Sequence, residues 1–161
     1  MKTLIILLTI FTIIFIKLRA NNRSGKNIVL TKKPSVLNDA YCLMNETNIK
    51  TSIPVPLHGR VDQVFKLKDG RLLLVDSKDR ERVLTYPSDI VQLSTYAIIL
   101  KYKGYNVCPT AFIRIPIDNN RAIFIPVKLY SEEIIISLYN RYKAIERGKI
   151  TPRCTCNKHF S

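Results

Sequence analysis

Four consecutive apolar residues, Leu72-Leu73-Leu74-Val75, run directly into Asp76-Ser77-Lys78. An unbroken apolar run of this length suits a strand buried on both faces, as in the middle of a sheet covered by helices. The preceding stretch, Pro56 to Lys68, alternates instead, with Val61, Phe65 and Leu67 apolar. It reads as a second strand, and Lys68-Asp69-Gly70 as the hairpin turn between the two. The 72–77 strand is therefore expected to be central.

Helix signals follow. Ser88 to Lys103 reads as a helix, with Ser88 as N-cap after Pro87 and Gly104 as its stop. Tyr105 to Pro116 and Arg121 to Val127 read as strands joined by the polar turn Ile117-Asp118-Asn119-Asn120. Ser131 to Arg147 reads as a second helix, with Glu132 and Glu133 in its first turn and Gly148 behind it. The order strand-strand-helix-strand-strand-helix predicts an α/β domain over residues 53–150, one mixed sheet with flanking helices. No internal repeat is visible.

Outside that domain the chain changes character. Thr3 to Ile16 carries no charge, Gly or Pro. Fourteen helical residues span roughly 21 Å, short of the ~30 Å hydrocarbon core. Met1 and Leu18 extend the run, and Lys2 and Lys17 can snorkel. A cleaved signal peptide is the rival reading. Lys17 and Arg19 stand where its small-residue cleavage site belongs, so residues 1–20 are read as an uncleaved membrane anchor. Basic residues are denser after the run than before it, which orients the remainder towards the cytoplasm. Residues 21–52 are polar, basic and weakly periodic, and read as a linker with a short strand at Ile28–Leu30.

Charge points to a partner. The 161 residues hold 26 Lys+Arg and 12 Asp+Glu, a net +14. Setting aside Lys2, Lys17 and Arg19 leaves 23 basic against 12 acidic residues, or +11. Such a bias favours a polyanion, nucleic acid or an anionic membrane surface. General solubility or a lysine-rich coding bias is the plainer alternative.

The end of the central strand carries the chemistry. In a strand, residues two apart share a face, so Asp76 and Lys78 point together. Burying such groups without partners is expensive. A hard divalent cation would compensate Asp76, together with Asp62 on the preceding strand and the backbone carbonyl of Ser77. Oxygen ligands of this kind suit Mg²⁺ or Mn²⁺, and Lys78 beside them suits phosphodiester hydrolysis. Taken alone, an Asp-x-Lys pair at a strand end is usually a surface ion pair.

Its neighbours sharpen the pattern. Gly59-Arg60-Val61-Asp62 precedes it, and Gln92-Leu93-Ser94-Thr95-Tyr96 follows on the expected helix, where Gln92 and Tyr96 share a face. The succession GxxD, (D/E)xK and QxxxY resembles the PD-(D/E)XK nuclease superfamily, in its RecB-like branch with the CRISPR-associated adaptation exonuclease. The resemblance covers about residues 55–149. It implies a restriction-endonuclease-like core and an exonuclease-like, metal-dependent DNA nuclease. Asp62 and Asp76 would ligate Mg or Mn, Lys78 would serve catalysis, and Gln92, Tyr96 and Arg60 would support the site or contact DNA. Tyr96 can equally be read as a core aromatic. A non-catalytic DNA- or protein-binding module of the same fold is the alternative.

Two departures stand out. Relatives carry an upstream helix with a His or Glu completing the metal shell, whereas the segment before Gly59 is short. His58 is the candidate replacement, and Glu46 a weaker one. Many relatives also bind an iron–sulfur cluster through one early and three late cysteines. Cys42, Cys154 and Cys156 echo that layout, and His159 would complete a zinc or cluster site. Cys108 falls in an expected core strand and reads as a small hydrophobe. Free thiols without a cluster are the favoured reading.

Overall fold

The computed structural model describes residues 33–118 and 121–151. The apolar N-terminal run, the expected strand at Ile28–Leu30 and the tail cysteines Cys154 and Cys156 lie outside the described residues. Among the described residues no helix is long and apolar enough to cross a membrane.

Five strands form one mixed sheet in the order of the chain: β1 (Tyr41–Thr51), β2 (Leu57–Lys66), β3 (Leu72–Ser77), β4 (Thr110–Pro116) and β5 (Ala122–Lys128). Helix α1 (Pro87–Tyr102) connects β3 to β4, and α2 (Glu132–Glu146) follows β5. Among the described strands, β3 and β4 are the one parallel pair, which is the geometry a helical crossover requires. The other neighbours are antiparallel.

The apolar run of β3 is central and doubly buried, as its composition predicts: Leu72 to Val75 are each at most 3% exposed. Leu72 and Leu74 join the larger core with Val61, Val64, Leu93, Ile99 and Ile113, on the face that carries both helices. Leu73 and Val75 join a smaller cluster with Leu37, Leu67, Cys108 and Phe124. The hairpin turn before β3 closes with Gly70 at φ +83°, a left-handed conformation that costs glycine little.

Three sequence expectations need correction. The span 21–52, read as linker, contains β1 over Tyr41–Thr51. This edge strand pairs with the full length of β2, yet buries only Ile49. With one buried residue it has no apolar alternation to read. The strand expected from Tyr105 begins at Thr110, because Val107 makes only an isolated bridge to Leu72 and Pro109 cannot donate to a ladder. Helix α1 starts one residue early, with Pro87 at its first position and Tyr86, not Ser88, as the N-cap. Asp89, at the third helical position, accepts the Tyr86 backbone N–H at 2.9 Å, the reciprocal half of a capping box. At α2, Ser131 occupies the N-cap position without a side-chain cap hydrogen bond.

Candidate functional site

Asp76 sits near the end of β3 with its side chain towards α1, and is 1% exposed. The backbone N–H of Lys78 donates to the Arg114 carbonyl at 2.8 Å, continuing the parallel pairing one residue beyond β3. Strand alternation therefore persists through Lys78, and both side chains emerge on the same face. Lys78 Nζ lies 2.9 Å from Asp76 Oδ2.

Helix α1 lays Gln92 across this pair. Its Oε1 accepts a hydrogen bond from Lys78 Nζ at 2.9 Å. Its Nε2 donates to Asp76 Oδ1 at 3.2 Å and to Tyr96 Oη at 2.9 Å. One amide thus reads both ends of the Asp76–Lys78 pair, while Tyr96, one turn on, fixes the amide. Tyr96 is also buried, so it acts as both core aromatic and hydrogen-bond partner.

Asp62 arrives from β2, just beyond the last β2–β3 pair, Gln63 with Val75. Its Oδ2 accepts the Ser77 backbone N–H at 2.8 Å, so a carboxylate takes the place of a ladder carbonyl. This fixes Asp62 close enough to Asp76 for the two charges to repel. Burial, and less strongly the Asp62 and Asp89 charges, raise the Asp76 carboxyl above its usual range, while Lys78 pulls it back in part.

Gly59 explains why the first motif begins with glycine. A β-carbon there would run into the Tyr96 ring at Cε1 and lie 3.2 Å from Cδ1. The strand approaches α1 this closely only because position 59 has no side chain.

Two residues absent from the sequence reading complete the site's frame. Arg80 donates from Nη1 and Nη2 to the two carboxylate oxygens of Asp89, at 3.0 Å each. It also donates to the Leu84 carbonyl at 2.9 Å and lies 4.9 Å from the Tyr86 ring centre. The pair ties the loop after Lys78 to the first turn of α1. Burial pushes the Asp89 carboxyl up, but hydrogen bonds from Arg80 and Tyr86 outweigh it and hold the group below its usual range. An acid at the third position of a helix was the one available signal.

The remaining expected site residues stand apart. His58 is exposed on β2, paired with Lys50 of β1, and lines a recess with Asn48, Ile49 and Arg60. It is not gathered with Asp62 and Asp76. Glu46 bonds Arg60 across the edge of the sheet, Oε2 to Nη2 at 2.8 Å, and Arg60 Nε donates to the Glu46 carbonyl at 3.2 Å. Arg60 therefore belongs to the exposed edge. Among the described residues, no three His, Cys, Asp or Glu side chains come together as a metal cluster. Cys42 is exposed on β1 and donates to the Met44 carbonyl at 3.2 Å, and Cys108 is buried.

One observation bears on a cation. Asp76 Oδ2 is buried and, despite its short approach to Lys78 Nζ, accepts no aligned hydrogen bond. The oxygen is compensated by the charge of the Lys78 ammonium rather than by an aligned hydrogen bond, a setting that a divalent cation could also fill. With the Asp62 carboxylate beside it, the oxygen-only donor set fits Mg²⁺ or Mn²⁺.

No protein-family model matches the chain, and no curated protein matches it. Among solved structures it is similar to one described as the crystal structure of SSO0001, with a TM-score of 0.48 and 14% sequence identity. That likeness covers 69% of this chain and 52% of the other, so the chain spans about half the length of that structure.

Proposed function

We propose that the chain is a metal-dependent DNA nuclease of the RecB-like PD-(D/E)XK type, held at a membrane by its N-terminal apolar run. The observation that carries this reading is the joined set of Asp62, Asp76, Lys78, Gln92 and Tyr96. Motifs separated along the chain meet at one end of β3, and their meeting supports the roles that the family resemblance implies for them. A mixed sheet with α1 crossing between parallel strands is compatible with a restriction-endonuclease-like core.

Asp62, Asp76 and the Ser77 carbonyl would hold Mg²⁺ or Mn²⁺. When bound, such an ion supplies Lewis acidity at the phosphate and lowers the pKa of water. Asp62 is prepositioned by Ser77 N–H, so its second oxygen remains available. Lys78 supplies an ammonium beside the reacting phosphate, where it offsets developing negative charge and orients the attacking water. Gln92 holds Lys78, and Tyr96 holds Gln92. The basic surface retains the phosphodiester backbone without reading sequence.

The test is cleavage of linear and circular DNA by the full-length protein with Mg²⁺, Mn²⁺ or EDTA. Metal-dependent hydrolysis, lost in Asp76→Ala and Lys78→Ala, is the expected result. Cleavage at the wild-type rate by either variant refutes the assignment. Sedimentation with membranes, and protection of residues 33–151 from external protease, tests the anchor and the cytoplasmic orientation.

A second reading is a non-catalytic DNA- or protein-binding module of the same fold. It is favoured by a shell that, among the described residues, holds two acidic side chains, since His58 and Glu46 stand elsewhere. Salt-dependent DNA binding without hydrolysis or Mn²⁺ binding would select it.

A further inference from the structure

We infer that Lys78 is a built-in competitor for the divalent cation, parked on the Asp76 oxygen that the metal would use. This rests on the metal-site reading above and adds a regulation to it. The ammonium lies 2.9 Å from Asp76 Oδ2, the buried oxygen that accepts no aligned hydrogen bond. A dication on that oxygen and an ammonium beside it repel, so metal entry requires Lys78 to move away.

The parked position is specified rather than incidental. Lys78 Nζ makes its aligned hydrogen bond to Gln92 Oε1, at 2.9 Å. The Gln92 amide cannot turn over without setting its carbonyl against Asp76 Oδ1, which only accepts, and its NH2 against the Lys78 ammonium, which only donates. Gln92 therefore presents its carbonyl to Lys78 and holds the ammonium over Asp76. With this internal cation, a carboxylate that is 2% exposed stays compensated, and the fold does not depend on metal. The Lys78 side chain is 25% exposed, which gives its flexible stem a way towards solvent. Once displaced from Asp76, the same ammonium would remain on the site's rim, within reach of the substrate phosphate whose charge it would offset.

The experiment is a Mn²⁺ titration of the full-length protein, followed by electron paramagnetic resonance of free Mn²⁺. Wild type is compared with Lys78→Met, Lys78→Arg, Gln92→Leu and Asp76→Ala. Lys78→Met keeps the stem and removes the charge, and should bind Mn²⁺ about tenfold tighter than wild type or better. Lys78→Arg keeps a cation in place and should stay near the wild-type affinity. Gln92→Leu, which releases Lys78 without removing it, should tighten binding about threefold and provides a second reading if Lys78→Met folds poorly. Asp76→Ala should bind none. Equal or weaker Mn²⁺ binding by both Lys78→Met and Gln92→Leu, with Asp76-dependent binding in wild type, overturns the competitor and leaves the metal site standing. Absence of Asp76-dependent binding in every variant overturns the metal site and the competitor together.

Discussion

Gly59 packs so tightly against Tyr96 that a single added carbon would overlap the ring. The contact joins β2, which carries Asp62, to the helix that carries Gln92. The two motifs flanking the Asp76–Lys78 pair are thus halves of one packing arrangement. Gly59→Ala is expected to cost about 1–3 kcal/mol through overpacking, measured by urea denaturation. Adding Tyr96→Leu should recover part of that loss, with a coupling of about 0.5–3 kcal/mol between the two positions. Simple additivity would show that the contact does not constrain the fold.

In the proposed metal site, Asp76 would set function against stability. Burial raises its folded carboxyl above the unfolded value, so the folded state takes up a proton more readily. The associated stability is present below the unfolded carboxylate pKa and is lost as pH climbs through the raised folded one. Asp76→Asn removes that loss. It should melt at or above the wild-type temperature at neutral pH and show no Mn²⁺-induced rise, while cleavage falls at least about 100-fold. A marked fall in its neutral-pH melting temperature would contradict the account.

The parts of this arrangement that were legible in the sequence are those with a strong local pattern. Leu72 to Val75 announced a doubly buried strand because no residue in it tolerates solvent-facing pairing. Asp62, Asp76, Lys78, Gln92 and Tyr96 were legible because each sits at a fixed spacing on its element. β1 was not, since an edge strand with one buried residue leaves hardly any apolar trace. Arg80 and Asp89 escaped for another reason. Nine positions apart and on different elements, they become partners only when the loop after β3 folds back onto α1. His58 failed in the opposite direction: adjacency to Gly59 in sequence said nothing of which side of β2 it would occupy.

In the proposed nuclease, Gln92 and Tyr96 would act through Lys78 and Asp76, to which they are hydrogen-bonded in series. Gln92→Ala should lower cleavage about 10–100-fold, the range for a residue that orients metal-site groups. Tyr96→Phe removes the acceptor for Gln92 Nε2 but keeps the ring against Gly59. It should cost about 1 kcal/mol of stability and lower kcat with KM unchanged. Steady-state kinetics on a short duplex separates this from a DNA-contact role, which would raise KM.

The Arg80–Asp89 pair should make the attachment of α1 to the loop after β3 sensitive to acid. Asp89 is held below its ordinary range, so its contribution is present above the unfolded carboxylate pKa and is lost as pH falls through the lowered folded one. Asp89→Asn should therefore destabilise the protein at neutral pH and flatten the acid limb of its stability curve. Arg80→Ala strands a buried carboxylate and should cost about 3 kcal/mol, the low end for one partner of a buried pair, because Arg80 keeps some solvent contact. Arg80→Lys cannot reproduce the two-pronged contact and should recover only part of that loss. Because the pair joins the loop after Lys78 to the turn before Gln92, both Arg80 variants should also slow cleavage under conditions where they remain fully folded. Denaturation curves between pH 3 and 8, with cleavage rates at matched folded fractions, check both effects. Unchanged rates in the folded variants would confine Arg80 and Asp89 to a structural role.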